Sequence, residues 1–194
     1  MCGITGIADF SKNDLDRKLL AGMAEEIVHR GPDSGGFFFA PHVGLAIRRL
    51  SIIDLVTGDQ PIFNEDKSVC IVFNGEIYNY QSLHADLVKK GHHFKTKSDT
   101  ETLVHAYEEY GPEMLKKLNG MFAFAIWDTQ KQQLFIARDH AGIKPLYYYS
   151  SGGTLIFGSE IKTILNHPGV PKNMNRTSFD LYSFFGYIPG QESI

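Results

Sequence analysis

Apolar positions along the chain change period from block to block, and each change predicts an element. Residues 3–8 form a short apolar run, read as a buried strand. After a polar break at 11–16, Leu19, Leu20, Met23 and Ile27 recur at three- and four-residue spacing, the mark of an amphipathic helix. Arg30-Gly31-Pro32 should end it, with glycine taking a positive φ and proline unable to continue. Residues 37–39 and 43–47 predict paired strands around Pro41-His42, and 58–61 a turn. The unbroken apolar run at 69–73 predicts a strand covered on both faces, closed abruptly by Asn74-Gly75. Leu83, Leu87 and Val88 mark a helix stopping at Gly91, and 93–96 reads as a short strand. Ser98 with Glu101 three residues on matches a capping box, opening a helix through Leu103, Ala106 and Tyr107 to Gly111-Pro112. Strands follow at 121–127, 134–138, 146–149 and 155–157, with hairpin-like links at 128–131 and 150–154. Short helices are expected at 160–165 and 179–185. Mixed elements with antiparallel-looking neighbours predict an α+β fold rather than a parallel doubly wound sheet.

Composition narrows the class. A chain of 194 residues suits one generous domain or a domain with a tail, with no need of a disulfide or metal staple. A formal charge of -3 gives no reason to expect nucleic acid or an anionic membrane as partner. The start of the chain lacks the pattern of a signal peptide, and the longest apolar run, 121–127, is far short of the ~20 residues that span a bilayer. Two cysteines, Cys2 and Cys70, make no disulfide framework, and a cytoplasmic setting is expected. The eight histidines match no ligand motif; His92 and His93 would face opposite ways if extended, so no metal is expected.

Four places carry candidate chemistry. Cys2 follows the initiator, and once Met1 is trimmed it bears a thiol and a free α-amine on one carbon. Their pKa values, near ~8.5 and ~7.7–8.0, lie so close that one residue can be nucleophile and general base at once; the opening heptapeptide alone equally allows an ordinary cysteine that happens to be second. Asn74-Gly75 is a strong hairpin signal, yet residues 76–80 do not alternate like a returning strand. A glycine N–H beside an asparagine amide also makes a two-donor site for a developing oxyanion. Arg49, set among apolar residues, needs a carboxylate, either from a protein side chain or from a substrate. Asp99 at a helix start is a dipole-friendly residue that would also suit a substrate ammonium. Cys70 reads as a small core residue.

Taken together the motifs resemble those of class II glutamine amidotransferase domains, with wording most similar to glutamine-hydrolysing asparagine synthetases. They are Met1-Cys2-Gly3-Ile4, Arg30-Gly31-Pro32-Asp33, Arg49-Leu50-Ser51-Ile52-Ile53-Asp54, Asn74-Gly75-Glu76-Ile77-Tyr78-Asn79 and Ser98-Asp99-Thr100-Glu101. Gly120-Met121-Phe122-Ala123-Phe124-Ala125, Arg138-Asp139 with Gly142-Ile143-Lys144-Pro145-Leu146-Tyr147, and Gly158-Ser159-Glu160-Ile161-Lys162 complete the order. The resemblance implies an N-terminal-nucleophile hydrolase fold, a four-layer αββα sandwich of two antiparallel sheets. It implies hydrolysis of the side-chain amide of L-glutamine by Cys2, with an oxyanion hole of Asn74 and the Gly75 N–H. Arg49 would hold the substrate carboxylate and Asp99 its ammonium, with Leu50, Ser51, Ile52, Ile53 and Glu76 adding contacts. Arg30 to Asp33 is carried over as a largely structural signature near the site.

The implied layout is a glutaminase domain at 1–165 and a segment at 166–194 leading toward a synthetase domain of ATP-pyrophosphatase type. No cofactor is expected in the glutaminase domain, with ATP and magnesium confined to the synthetase domain; a homodimer is left open. His140 stands where many relatives carry arginine. While Met1 remains attached, the nitrogen of Cys2 is an amide and cannot act as a base. Two other readings stay open: a hydrolase of the same type acting on a different amide, and a catalytically silent binding domain.

Overall fold

A computed structural model describes residues 1–51, 54 and 57–189. Among the described residues, nine strands fall into two antiparallel sheets. The first contains β1 (Gly3–Asp9), β2 (Ser34–Ala40), β3 (Val43–Arg49), β8 (Tyr147–Ser151) and β9 (Thr154–Gly158), in the order β2-β3-β1-β9-β8. The second contains β4 (Ile62–Phe63), β5 (Val69–Ile77), β6 (Gly120–Asp128) and β7 (Gln133–Arg138), in the order β4-β5-β6-β7. Helices α1 (Arg17–Glu25) and α4 (Ile161–Leu165) cover the first sheet, and α2 (Tyr80–Lys89) and α3 (Asp99–Tyr110) the second. A last helix, α5 (Arg176–Phe185), follows. The expected α+β arrangement of two antiparallel sheets between helices is present.

Three apolar clusters show how the layers adhere. Ile4, Val43, Leu45 and Ile47 from one sheet meet Cys70, Val72, Ala125 and Trp127 from the other. Ile71, Phe73 and Ile126 instead face Leu83, Leu87, Leu103 and Val104 of the helices. Ile7, Ala46 and Ile156 pack on Leu20, Met23 and Ile164. Side chains of a strand alternate between faces, so β5 sends its even-numbered residues between the sheets and its odd-numbered ones toward the helices. Cys70 lies in the core as expected, and burial pushes its thiol pKa well up.

Several local expectations need correction. Asn74-Gly75 does not close a strand: β5 runs through it to Ile77, pairing Asn74 with Ala123 and Gly75 with Phe122. The hairpin reading fails because β6 arrives from distant sequence, and cross-strand pairing overrides a local turn preference. Residues 93–96 form no strand; the stretch is held instead by Glu101, whose carboxylate accepts from the backbone of Lys95 at 2.9 Å and of Thr96 at 2.6 Å. Glu101 therefore does not complete a capping box. Ser98 alone caps α3, accepting from the Thr100 N–H at 3.0 Å, while its own N–H donates to the Thr96 hydroxyl. Gly31 has an extended φ of -148°, not a positive one. Its lack of a side chain matters for space, since a Cβ there would lie 2.2 Å from the Arg48 carbonyl oxygen.

Candidate active site

Alternation along three strands builds the site. Ile4 and Ala8 of β1 face the gap between the sheets, and Cys2, two residues before Ile4, packs against the same cluster. Val43, Leu45 and Ile47 of β3 point into that gap, and Arg49 continues the odd-numbered series. Cys70 and Val72 of β5 do likewise, and Asn74 continues the even-numbered one. Cys2, Arg49 and Asn74 are thereby brought to one end of the sandwich, where they line a solvent-open cleft of about 560 Å³. Gly75, Glu76, Leu50 and Asp99 also line it.

Cys2 is half-buried and held from two sides. Its sulfur accepts from the Leu50 N–H at 3.4 Å and faces the Leu50 carbonyl at 3.5 Å. Its carbonyl accepts from Arg30 Nε at 3.0 Å, and Arg30 is itself anchored by Glu160 at 3.1 Å. Asp33 accepts from the Ser51 N–H at 2.9 Å and donates its own N–H to the Arg49 carbonyl at 3.1 Å. The Arg30 to Asp33 motif thus ties the nucleophile to the chain that follows β3. Ser51 takes part in this tie and does not line the cleft, while Ile52 and Ile53 lie outside the described residues.

Asn74 is 1% exposed, and its Nδ2 amide is buried with no hydrogen-bond partner. An unpaired buried donor costs roughly 1–3 kcal/mol, so its presence in a cleft asks for an acceptor from outside the chain. The backbone beside it offers a second donor. In a strand the N–H groups of every second residue point to one edge. On the edge of β5 away from β6, the Phe73 N–H donates to Gln60 Oε1 at 2.7 Å and the Ile77 N–H to Asp99 Oδ2 at 3.0 Å. The Gly75 N–H lies between them on that edge, beside the cleft. Gly75 must lack a side chain because a Cβ would meet the Met121 carbonyl at 2.3 Å.

The two charged candidates differ in setting. Arg49 is buried and forms an ion pair with Asp59 at 2.7 Å, also donating to the Asp54 carbonyl at 2.7 Å. The protein partner left open by sequence is therefore Asp59, whose side chain is 71% exposed. Asp99 begins α3 and is buried; desolvation pushes its carboxyl pKa up, against the hydrogen bonds from Ile77 and Thr100. Nearby Glu76 adds to the upward push.

Sequence reasoning missed Asp59, Gln60 and Lys144. Gln60 substitutes for a neighbouring strand, capping both the N–H and the carbonyl of Phe73. Lys144 is buried on the cleft wall and reaches the Met1 sulfur at 3.2 Å. It stands inside a motif quoted for the resemblance, but nothing in its spacing betrays a place beside Cys2.

A family model described as a glutamine amidotransferase domain matches residues 1–194. The chain belongs to that family. This amidotransferase domain is 47% identical over 178 residues to the Bacillus subtilis asparagine synthetase [glutamine-hydrolyzing] 2, covering 90% of the chain and 24% of the relative. It is 41% identical over 167 residues to the Escherichia coli asparagine synthetase B [glutamine-hydrolyzing], covering 85% of the chain and 30% of the relative. The chain thus spans between about a quarter and a third of these relatives. The amidotransferase domain also shares its fold with the glutamine phosphoribosylpyrophosphate amidotransferase of B. subtilis, with a TM-score of 0.67 at 21% identity over 84% of the chain and 43% of that protein. A second structure, described as the allosteric regulatory enzyme of purine biosynthesis, gives a TM-score of 0.69 at 20% identity over 85% of the chain and 43% of its own. Among the described residues, no helix is long and apolar enough to cross a membrane.

Proposed function

We propose that this domain hydrolyses the side-chain amide of L-glutamine to glutamate and ammonia through a thioester on Cys2. The observation that carries the reading is the unpaired, buried Asn74 amide lining the same cleft as the Cys2 thiol. Once Met1 is removed, the α-amine of Cys2 takes the thiol proton and the thiolate adds to the amide carbon. The oxygen that gains charge is received by Asn74 Nδ2 and the Gly75 N–H, both fixed before the substrate arrives; such preset donors are worth roughly 2.7–4 kcal/mol in the barrier. The amine then passes its proton to the leaving nitrogen, ammonia departs, and water cleaves the thioester with the same amine as base.

Arg49 and Asp99 supply complementary charge for the substrate carboxylate and ammonium, and Leu50 and Glu76 border the same space. A free amino acid satisfies both charges, whereas a glutamine within a peptide has neither group. Ammonia is then delivered to an ATP-dependent synthetase domain, which would also hold ATP and magnesium; hydrolysis in the present domain needs no cofactor. The setting proposed is the cytoplasm.

Glutamate release measured on wild type and Cys2→Ala tests the assignment. The variant should lose release entirely while keeping its circular dichroism spectrum; equal release by both would overturn it. Mass measurement of the N-terminus should find Met1 gone in active protein.

A further inference from the structure

Two histidines not used by the proposed reaction meet two glutamates on the helical side of the second sheet. His105 and Glu108 come from α3, His92 from the turn after α2, and Glu65 from the loop after β4. One potential ligand atom from each lies within 4.8 Å of all the others. His105 Nδ1 is 2.8 Å from Glu108 Oε2 and 3.5 Å from Glu65 Oε2, and His92 Nδ1 is 3.8 Å from Glu108 Oε2. The edges of a tetrahedral site with arms of ~2.0–2.1 Å run to ~3.3–3.4 Å; the three separations given lie on either side of that spacing, and small side-chain shifts would draw the widest pairs inward.

The surrounding groups are arranged as a ligand set requires. A metal-bound imidazole normally gives its other N–H to a carboxylate, which fixes the ring and its tautomer. Both rings turn Nδ1 inward. His105 Nε2, buried and without a hydrogen-bond partner, faces Glu101 Oε1 at 3.8 Å; His92 Nε2 faces Glu109 Oε2 at 3.7 Å. The glutamates are braced too. Glu108 Oε1 accepts from Asn64 Nδ2 at 2.7 Å and Glu65 Oε1 from the His93 N–H at 2.9 Å, leaving Oε2 of each turned toward His105. Glu109 is paired with Lys90 at 2.6 Å, and the three other carboxylates face two imidazoles, a negative charge that a divalent cation would offset.

We infer that Glu65, His92, His105 and Glu108 form a binding site for a divalent transition metal of the zinc class. Two imidazoles and two carboxylates suit zinc and its neighbours in the first row rather than magnesium or calcium, which prefer oxygen alone. The sequence spacing concealed the site because its ligands come from three separate segments. Its role is structural: the ion would clamp α3 to the loops on either side. His105 is six residues from Asp99 on that helix, about 9 Å along the axis. The ion would thereby steady the carboxylate that lines the cleft without touching substrate.

The test uses untagged protein stripped with a chelator and carrying Cys2→Ser, so that the half-buried thiol does not compete. Zinc titration by calorimetry should give one equivalent, and cobalt should give the intense visible absorption of a tetrahedral site. His92→Ala and Glu65→Gln, both away from the fully buried part of the cluster, should each weaken zinc binding by at least about tenfold while circular dichroism stays unchanged. Glu109→Gln removes no ligand and should still weaken it by roughly 10- to 100-fold. Absence of binding, or equal affinity in wild type and His92→Ala, would overturn the site and leave a proton on His105 as the occupant of that space.

Discussion

Arg30 donates from Nε to the carbonyl oxygen of Cys2 at 3.0 Å, and Glu160 holds the same guanidinium at 3.1 Å. The contact fixes the backbone of the nucleophile rather than its sulfur, so Arg30 is a positioning residue. Arg30→Gln should lower kcat for glutamine hydrolysis by roughly 10- to 100-fold, since a displacement of about 1 Å can cost that much. KM should stay nearly constant because Arg49 and Asp99 are untouched. Steady-state kinetics separate the two; a change confined to KM would argue against positioning.

Asn74 separates activity from stability. Asn74→Ala removes one of two oxyanion donors and should cut kcat by about 10²–10³. Because its Nδ2 has no partner in the folded chain, removing it should cost no stability, and unfolding free energy should hold or rise by up to about 1–3 kcal/mol. Urea unfolding beside kinetics checks both halves, and a large loss of stability would mean that the amide is a structural group.

Asp99 should make glutamine binding sensitive to acid. Burial raises its pKa, and the substrate ammonium pairs only with the ionised form. KM for glutamine should therefore rise as pH falls through a range above that of an ordinary carboxylate. Asp99→Asn should raise KM and abolish this dependence. An unaltered pH profile of KM in the variant would remove Asp99 from substrate binding.

Asp9 should govern a part of acid unfolding far from the chemistry. The Ser11 hydroxyl at 2.5 Å leads the interactions that lower its pKa from 3.8 to about 2, with the Ser11 N–H, Lys12 and Thr154 assisting against the cost of burial. A pKa lowered by folding contributes stability above the unfolded value, lost as pH falls through the folded one. The contribution is roughly 2 kcal/mol, present above about pH 4 and gone below about pH 2. Asp9→Asn should be destabilised by that order at pH 7 and should match wild type near pH 2, as thermal unfolding across pH will show.

Much was decided by local pattern. The pattern of apolar residues and caps placed α3, the start of β5 and the hairpins near their observed positions, although α1 stops at Glu25, short of the expected Arg30-Gly31. Cys2 announced itself through its position, and Arg49, Asn74, Gly75 and Asp99 through motifs whose order is specific. What sequence could not decide was which partners these groups meet. Asn74-Gly75 favours a turn locally, yet pairing with β6 keeps the strand straight and aims the Asn74 amide between the sheets. Glu101 looked like half of a capping box and instead braces residues 95–96. Gln60, Lys144 and the His92–His105 cluster are assembled from residues far apart in sequence, through packing rather than spacing. Local propensity is a matter of a kcal/mol or less per residue, and burial of long-range contacts outweighs it wherever the two disagree.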